Sequence, residues 1–297
     1  MAEIRNISFL LKKCYTGKRQ MESFMEYNPY SPLFIKSILK SKALRLFSSR
    51  GQNYLIDRNY AERIVSLVPE GSIVFEVGSG LGALTYLLQF NHKVYSLEID
   101  KGIYNLLKGL LKSPNLFLLN EDFLKFDMNS ILEESLFFIS NLPYSVAGEI
   151  IKMFIDASQF KEGIVMVQEE MLERMLARSA TGQFSVFSIL CQFYMEIEKL
   201  FGVGRKSFFP EPSVDSAVVR IRKKDVEILQ KDFYDFLKKA FHSRRKTIIN
   251  NLRKYGFNEA VFEKLDLSYR FRPEEIPVEK WRELFIYYKG NFLEKLQ

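Results

Sequence analysis

Asn141, Leu142, Pro143 and Tyr144 stand together, flanked by Ser140 and Ser145, directly after the apolar run of residues 136–139. These residue types could hold the exocyclic amine of an adenine. That amine is a poor nucleophile, because its lone pair is delocalised into the ring. Two acceptors on its two N–H bonds would turn the lone pair toward an incoming methyl group. The Asn141 side-chain oxygen can be one acceptor. The Leu142 carbonyl, held outward by Pro143, can be the other. Asn is neutral, so it positions and polarises without acting as a strong base. Proline fixes φ and removes a competing donor. Tyr144 offers a face on which a base can stack, worth about 1–3 kcal/mol. Rate would come from orientation and preorganised electrostatics, with no covalent intermediate. Read alone, the tetrapeptide suits a turn capping the next helix equally well.

A second constellation lies upstream. Gly78, Gly80 and Gly82 sit between an apolar run and a helical pattern, in "FEVGSGLGALT". Glycines there permit a tight turn and let a ligand approach bare backbone, and the following helix N-terminus favours an anionic group. With Ala83, the spacing satisfies the dinucleotide fingerprint. With Glu76 just before it, the same loop resembles the nucleoside-binding loop of S-adenosylmethionine-dependent methyltransferases. Glu98 fits both, since a carboxylate at the end of a second strand can accept from both ribose hydroxyls. Asp122, ending a third strand, could accept from an adenine amino group or could simply cap a turn. A second acidic residue there suits a cation-bearing nucleoside and suits a pyrophosphate poorly.

The elements that must position these groups alternate. Strands are expected at residues 72–77, 93–99, 115–120, 136–140 and 162–168, and helices around 61–68, 82–90, 102–111 and 147–157, with further strands near 196–203 and 216–222. Strands apolar throughout, alternating with helices, predict a doubly wound parallel sheet covered on both faces. After about residue 224 the pattern becomes helical. The expected organisation is a basic arm over 1–45, an α/β domain over 46–224 and a smaller all-helical domain over 225–297.

Charge is unevenly placed. The chain of 297 residues carries a net charge of +7. Residues 1–50 hold 10 basic and 3 acidic side chains, residues 51–222 hold 16 and 21, and residues 223–297 hold 17 and 12. A basic head and tail around an acidic middle suit a polyanion gripped from two sides. Arg244, Arg245, Lys246, Arg253 and Lys254 form a run with no acid between Phe241 and Phe257, which favours RNA backbone contact. Two cysteines and two histidines, far apart, offer no disulfide framework, no metal cluster and no hydrolytic triad, and suit a reducing cytoplasm. No apolar run reaches membrane-spanning length.

Together, these motifs resemble the ribosomal RNA adenine N6-dimethyltransferase family, most closely its bacterial small-subunit members. The family's Gly-Gln-(Asn/His)-Phe-Leu segment corresponds to residues 51–55, which read Gly-Gln-Asn-Tyr-Leu. Its glycine loop, acidic strand end, Asp and Asn-Leu-Pro-Tyr map onto Gly78, Glu98, Asp122 and Asn141 to Tyr144. Residues 208–216, 240–252 and 272–277 match later family segments. Tyr54 replaces a Phe, and residues 145–148 and 203–206 depart from the usual text. The resemblance implies a Rossmann-like methyltransferase sheet with a helical RNA-binding domain, S-adenosyl-L-methionine as cofactor, and dimethylation of two adjacent adenosines in small-subunit ribosomal RNA or a precursor particle by a cytoplasmic monomer. It implies Asn53, Leu55, Gly78, Gly80, Glu98, Asp122 and Asn141 at the cofactor. It implies Asn141, Leu142, Pro143 and Tyr144 at the target base, with Phe208 stacking on that base, and Arg244, Arg245, Lys246 and Arg253 on RNA. Rival readings are a large-subunit adenine methyltransferase, a non-catalytic nucleic-acid-binding factor on the same fold and, more remotely, a nicotinamide oxidoreductase.

Overall fold

The apolar runs become strands close to their expected places, and helices form between them. A computed structural model describes residues 27–41 and 53–294. Gly51, Gln52 and the first 26 residues of the expected arm, Cys14 among them, lie outside the described residues. The strands are β1 (Tyr54–Leu55), β2 (Ile73–Val77), β3 (Lys93–Leu97), β4 (Leu116–Leu119), β5 (Leu136–Asn141), β6 (Phe160–Gln168), β7 (Met195–Val203), β8 (Phe208–Phe209) and β9 (Ser216–Lys223). The main sheet has the order β4-β3-β2-β5-β6-β9-β7, and β1 pairs with β8 in a separate two-stranded ribbon.

The strands from β4 across to β6 are mutually parallel, whereas β9 runs antiparallel to both β6 and β7. The sheet is therefore mixed: the five strands that alternate with helices are parallel, and of the two later strands β9 runs against its neighbours. The reason is the connection: β7 reaches β9 through a loop without a crossover helix, and adjacent strands so joined must run in opposite directions. The chain moves from β2 outward through β3 to β4, then returns to lay β5 on the other side of β2. The carboxyl ends of β2 and β5 thus flank a topological switch point, where open α/β sheets bind ligands.

Helices follow as α1 (Pro32–Ser41), α2 (Arg58–Val65), α3 (Thr85–Leu88), α4 (Lys101–Leu110), α5 (Ala147–Asp156), α6 (Glu169–Met175) and α7 (Val186–Tyr194). After the sheet come α8 (Gln230–Ala240), α9 (Ile248–Leu252), α10 (Glu259–Lys264) and α11 (Lys280–Glu294). Asp57 and Asp100 cap α2 and α4 by accepting backbone N–H bonds. The expected helix over 82–90 shrinks to the single turn of α3, because Gly82 has φ +75° and keeps the chain out of helical geometry there.

Two domain boundaries read from composition look different in three dimensions. The β pattern ends at Lys223, but the helices beyond it share a buried core with the sheet. Phe233, Phe236, Leu237 and Trp281 sit in one apolar cluster with Phe138, Phe154, Leu190 and Val219. At the other end, part of residues 27–41 of the expected arm packs against the sheet's loop and helices. Ile35 and Leu39 are buried with Tyr54, Leu81, Ile103 and Leu107.

Candidate active site

The glycine loop leaves β2 at the switch point. Gly78, Gly80 and Gly82 all have positive φ, 78°, 53° and 75°, a conformation that costs an L side chain but not glycine. The loop is pinned to the next strand: the backbone N–H groups of Gly78 and Ser79 donate to Leu97 O at 2.9 and 3.1 Å. At Gly80 the Tyr54 ring lies so close that a Cβ would meet it at 3.2 Å. At Gly78 a Cβ would find open space, so the backbone there is bare toward the cleft.

Two buried carboxyls stand beneath the loop. Glu98, 5% exposed, accepts from the backbone N–H of Gly80 through Oε2 and from that of Asp100 through Oε1, both at 2.8 Å. Burial pushes its carboxyl up to about 7, against the pull of those two bonds. Each oxygen retains a lone pair, so ribose hydroxyls could add to the set. Glu76 lies deeper. Its Oε2 accepts from the Thr85 and Ser96 hydroxyls at 2.6 Å each, and burial raises its carboxyl while those bonds oppose the shift. Glu76 thus holds the loop's far end to β3 and does not line the cleft.

Asn141 ends β5 on the opposite wall. Its Nδ2 donates to the Asn53 carbonyl at 3.2 Å, which fixes the amide so that Oδ1 is turned away from that bond. The Leu142 N–H donates to Met166 O at 3.0 Å and the Val146 N–H to Pro143 O at 3.1 Å. Leu142 is 1% exposed, its side chain packed in the core. The Tyr144 hydroxyl lies 3.4 Å from Ser216 Oγ, and burial raises it while hydrogen bonds from Ser216 and Asn53 oppose the shift. The next helix, α5, starts at Ala147 behind Val146, which makes no side-chain cap bond. The helix-capping alternative for Asn141 is therefore not what this segment does.

Asn53, Tyr54, Gly78, Gly80, Glu98, Ile99 and Asn141 to Tyr144 line one cleft of about 620 Å3 including its open mouth. Among the described residues, no lysine or arginine lines it. Among the described residues a pyrophosphate would find no cationic partner there, whereas a sulfonium-bearing nucleoside meets Glu98 and neutral polar groups. Bare backbone at Gly78, a buried carboxylate for the ribose and the apolar Ile99 wall, 60% exposed, fit S-adenosyl-L-methionine. Ile99 escaped the sequence reading. Its signal was its apolar type directly after the acidic strand end.

Other expected residues are placed differently. Leu55 is buried among Ala61, Ile139 and Phe208, so its side chain is in the core and not in the cleft. Phe208 is 2% exposed. It pairs with Leu55 across the β1–β8 ribbon, and strand alternation turns it into the same core as Val203 and Val218. In this conformation its ring lies in the core and does not line the cleft. Asp122 does what a turn residue does: Oδ1 accepts from the Leu124 N–H at 3.0 Å and its other oxygen lies 3.9 Å from Lys125 Nζ. It shares the sheet's carboxyl edge with Glu98 but does not line the cleft. The Tyr54 hydroxyl, in a side chain 7% exposed, is buried without a hydrogen-bond partner among the described residues.

The basic run is a loop leading into a short helix, not the continuous helix its pattern suggested. Asn251, buried in α9, accepts from the Ser243 N–H at 3.2 Å and donates to Ser243 O at 3.0 Å, which folds residues 243–247 back over the helix start. Arg245, Lys246, Arg253 and Lys254 are exposed. Arg244 faces the other way in part: its guanidinium donates to Phe184 O at 3.0 Å and lies 4.0 Å from Glu274. It works as a tie between this loop and the sheet domain.

Comparison with known proteins agrees with this geometry. Residues 44–289 match the family model described as ribosomal RNA adenine dimethylase. The chain is 40% identical over 252 residues to ribosomal RNA small subunit methyltransferase A of Thermotoga neapolitana, covering 83% of this chain and 93% of that protein. It is 37% identical over 245 residues to the protein of the same name from Mycoplasma mobile, covering 80% and 96%. Among solved structures, a dimethyladenosine transferase from Plasmodium falciparum superposes with a TM-score of 0.68 at 22% identity over 79% of this chain and 97% of that one. The 23S rRNA methyltransferase ErmE gives 0.58 at 26% identity, over 80% and 100%. No helix among the described residues is long and apolar enough to cross a membrane. A family model matched over most of the sequence and relatives 37–40% identical over four fifths of it lead to one conclusion: this chain is a member of the ribosomal RNA adenine dimethylase family, enzymes that use S-adenosyl-L-methionine as methyl donor.

Proposed function

We propose that this enzyme dimethylates N6 of two adjacent adenosines in small-subunit ribosomal RNA, acting in the cytoplasm as a monomer on the RNA or a precursor particle. The observation that carries the chemistry is the Asn141 amide, whose NH2 is anchored on Asn53 O at 3.2 Å. Its oxygen is thereby the atom left to accept from a target amine. S-adenosyl-L-methionine supplies an electrophilic methyl group on a sulfonium. The rest is done by this chain's residues. Asn141 Oδ1 and the Leu142 carbonyl accept the two N–H bonds and hold the amine's lone pair toward the donor. Pro143 keeps that carbonyl from turning inward, and Tyr144 offers its ring to the base. Glu98 holds the ribose of the donor, and Gly78 lets it lie on the backbone. No described group in the cleft is a strong base, so the proton released on each transfer passes to solvent. After the first transfer the amine keeps one N–H, which one of the two acceptors suffices to orient. Exposed Arg245, Lys246 and Arg253 supply phosphate contacts.

The identity of 37–40% to proteins named for the small subunit supports that target. The test is single-turnover methylation of unmodified small and large subunits with labelled donor, followed by nucleoside analysis. Expected is N6,N6-dimethyladenosine in the small subunit alone, with Asn141→Ala slowed by about 10²–10³-fold at unchanged melting temperature. Label in the large subunit alone, or a wild-type rate for Asn141→Ala, would refute the reading.

A further inference from the structure

Tyr27 and Tyr30 precede the segment that the family model matches, which begins at residue 44. Both nevertheless reach the glycine loop. Tyr27 Oη donates to Leu81 O at 2.5 Å, and Tyr30 Oη donates to Ala83 O at 2.7 Å. These two carbonyls flank Gly82. A Cβ on Gly82 would run into the Tyr27 hydroxyl, and the Leu107 side chain would crowd it at 3.1 Å. The third glycine of the loop therefore makes room for a tyrosine of the chain's own N-terminal segment, not for a ligand.

The same segment is fastened at several further points. The Tyr27 ring packs edge-on against Phe34 and Tyr86, with centroids 5.7 and 5.5 Å apart. Ile35 and Leu39 of α1 are buried beside Tyr54 and Leu81. Lys36 lies 5.2 Å from the centroid of the Phe209 ring, and Phe209 pairs with Tyr54 across the β1–β8 ribbon. One short stretch thus joins the loop that faces the donor to the ribbon beside Asn53, the anchor of Asn141.

We propose that Tyr27 and Tyr30 are positioning residues for the methyl donor. Their hydroxyls hold the glycine loop in the shape that points the Gly80 N–H at Glu98 and bares the Gly78 backbone. A loop rich in left-handed glycine loses much backbone entropy when it is ordered. Ordering it before the ligand arrives spares that cost at binding. The proposal rests on the cleft being the donor's site.

The test uses the full chain carrying Tyr27→Phe and Tyr30→Phe together, which keeps both rings and removes only the hydroxyls. S-adenosylhomocysteine is titrated by calorimetry, and methylation is measured against donor concentration. Each hydroxyl-to-carbonyl bond is worth a factor of about 2–10, so losing both should lower affinity by about 4–100-fold. KM for the donor should rise in step while kcat at saturating donor stays within about twofold. A merely structural role would lower the melting temperature and leave affinity and KM unchanged, and that result would overturn the proposal. Gly82→Ala provides a second measurement: it should cost less donor affinity in a Tyr27→Phe background than in wild type, because the clashing hydroxyl is gone. Strictly additive effects would also count against the proposal. Wild-type protein that fails to bind S-adenosylhomocysteine would instead refute the assignment of the cleft, and the proposal with it.

Discussion

Replacing Glu98 by Gln separates what this carboxyl does for the donor from what it costs the fold. Its pKa in the folded chain is about 7 against an ordinary 4.5, with burial as the main cause. A difference of about 2.5 units corresponds to roughly 3 kcal/mol. The sign follows from proton counting. Between pH 4.5 and 7 the folded protein holds a proton that the unfolded chain has lost, so stability falls as pH rises through that window and is flat above it. Glu98→Gln cannot ionise and removes this slope. It also turns an NH2 group toward one of the two backbone N–H donors of Gly80 and Asp100, at a pH-independent cost of about 1–3 kcal/mol. The variant should therefore be less stable than wild type at pH 5, and the stability difference, variant minus wild type, should climb by about 2–3 kcal/mol by pH 8. Urea unfolding of both proteins across that range measures it, and Glu76 cancels because it is present in both. Ligand affinity should move in the opposite sense for wild type. Ribose hydroxyls favour the ionised carboxylate, so S-adenosylhomocysteine should bind more weakly below pH 7, approaching tenfold per unit, and the variant should bind weakly at every pH. A stability difference that stays level from pH 5 to 8 would mean that Glu98 is ionised throughout, and the argument from burial would be wrong.

Tyr54→Phe removes a buried hydroxyl that has no hydrogen-bond partner among the described residues and should stabilise the protein by about 1 kcal/mol; a destabilised variant in thermal melts would show that the hydroxyl is satisfied in solution. Arg245 and Lys246 are exposed, so neutralising both should lower the salt slope of RNA binding by roughly 0.7–0.9 for each phosphate no longer engaged, with no change in melting temperature. Arg244→Ala should do the reverse, destabilising the fold by about 1–3 kcal/mol because Phe184 O loses its donor, with a smaller effect on the salt slope. Equal effects from all three substitutions would contradict the division of labour drawn here.

Periodicity and residue type carried a long way. Five apolar runs alternating with helices announced the parallel part of the sheet, and the punctuation after two of them, Gly78 to Gly82 and Asn141 to Tyr144, marked the two walls of the cleft. Both are local signals, since a strand end and the turn after it are determined by adjacent residues. The direction of β9 was not legible. It depends on whether the loop from β7 crosses the sheet or turns back, and an apolar strand reads the same either way. Helices α6 and α7 went unread for a similar reason: they are short, and tertiary packing rather than a strong amphipathic stripe stabilises them.

What the sequence determined by itself is the set of chemically able groups and the order in which the sheet presents them, because these follow from residue identity and from the alternation of strand and helix. What only the tertiary structure decided is which of those groups share a space. Phe208 carries the ring that a stacking role needs, yet its pairing with Leu55 turns it into the core. Gly82 reads as a ligand's glycine, yet its missing side chain admits Tyr27, fifty-five positions earlier in the chain. Arg244 belongs to a basic run, yet its guanidinium is bonded to a carbonyl sixty residues away. Each outcome rests on contacts between segments remote in sequence, and such contacts are fixed by the packing of the whole chain rather than by any local pattern.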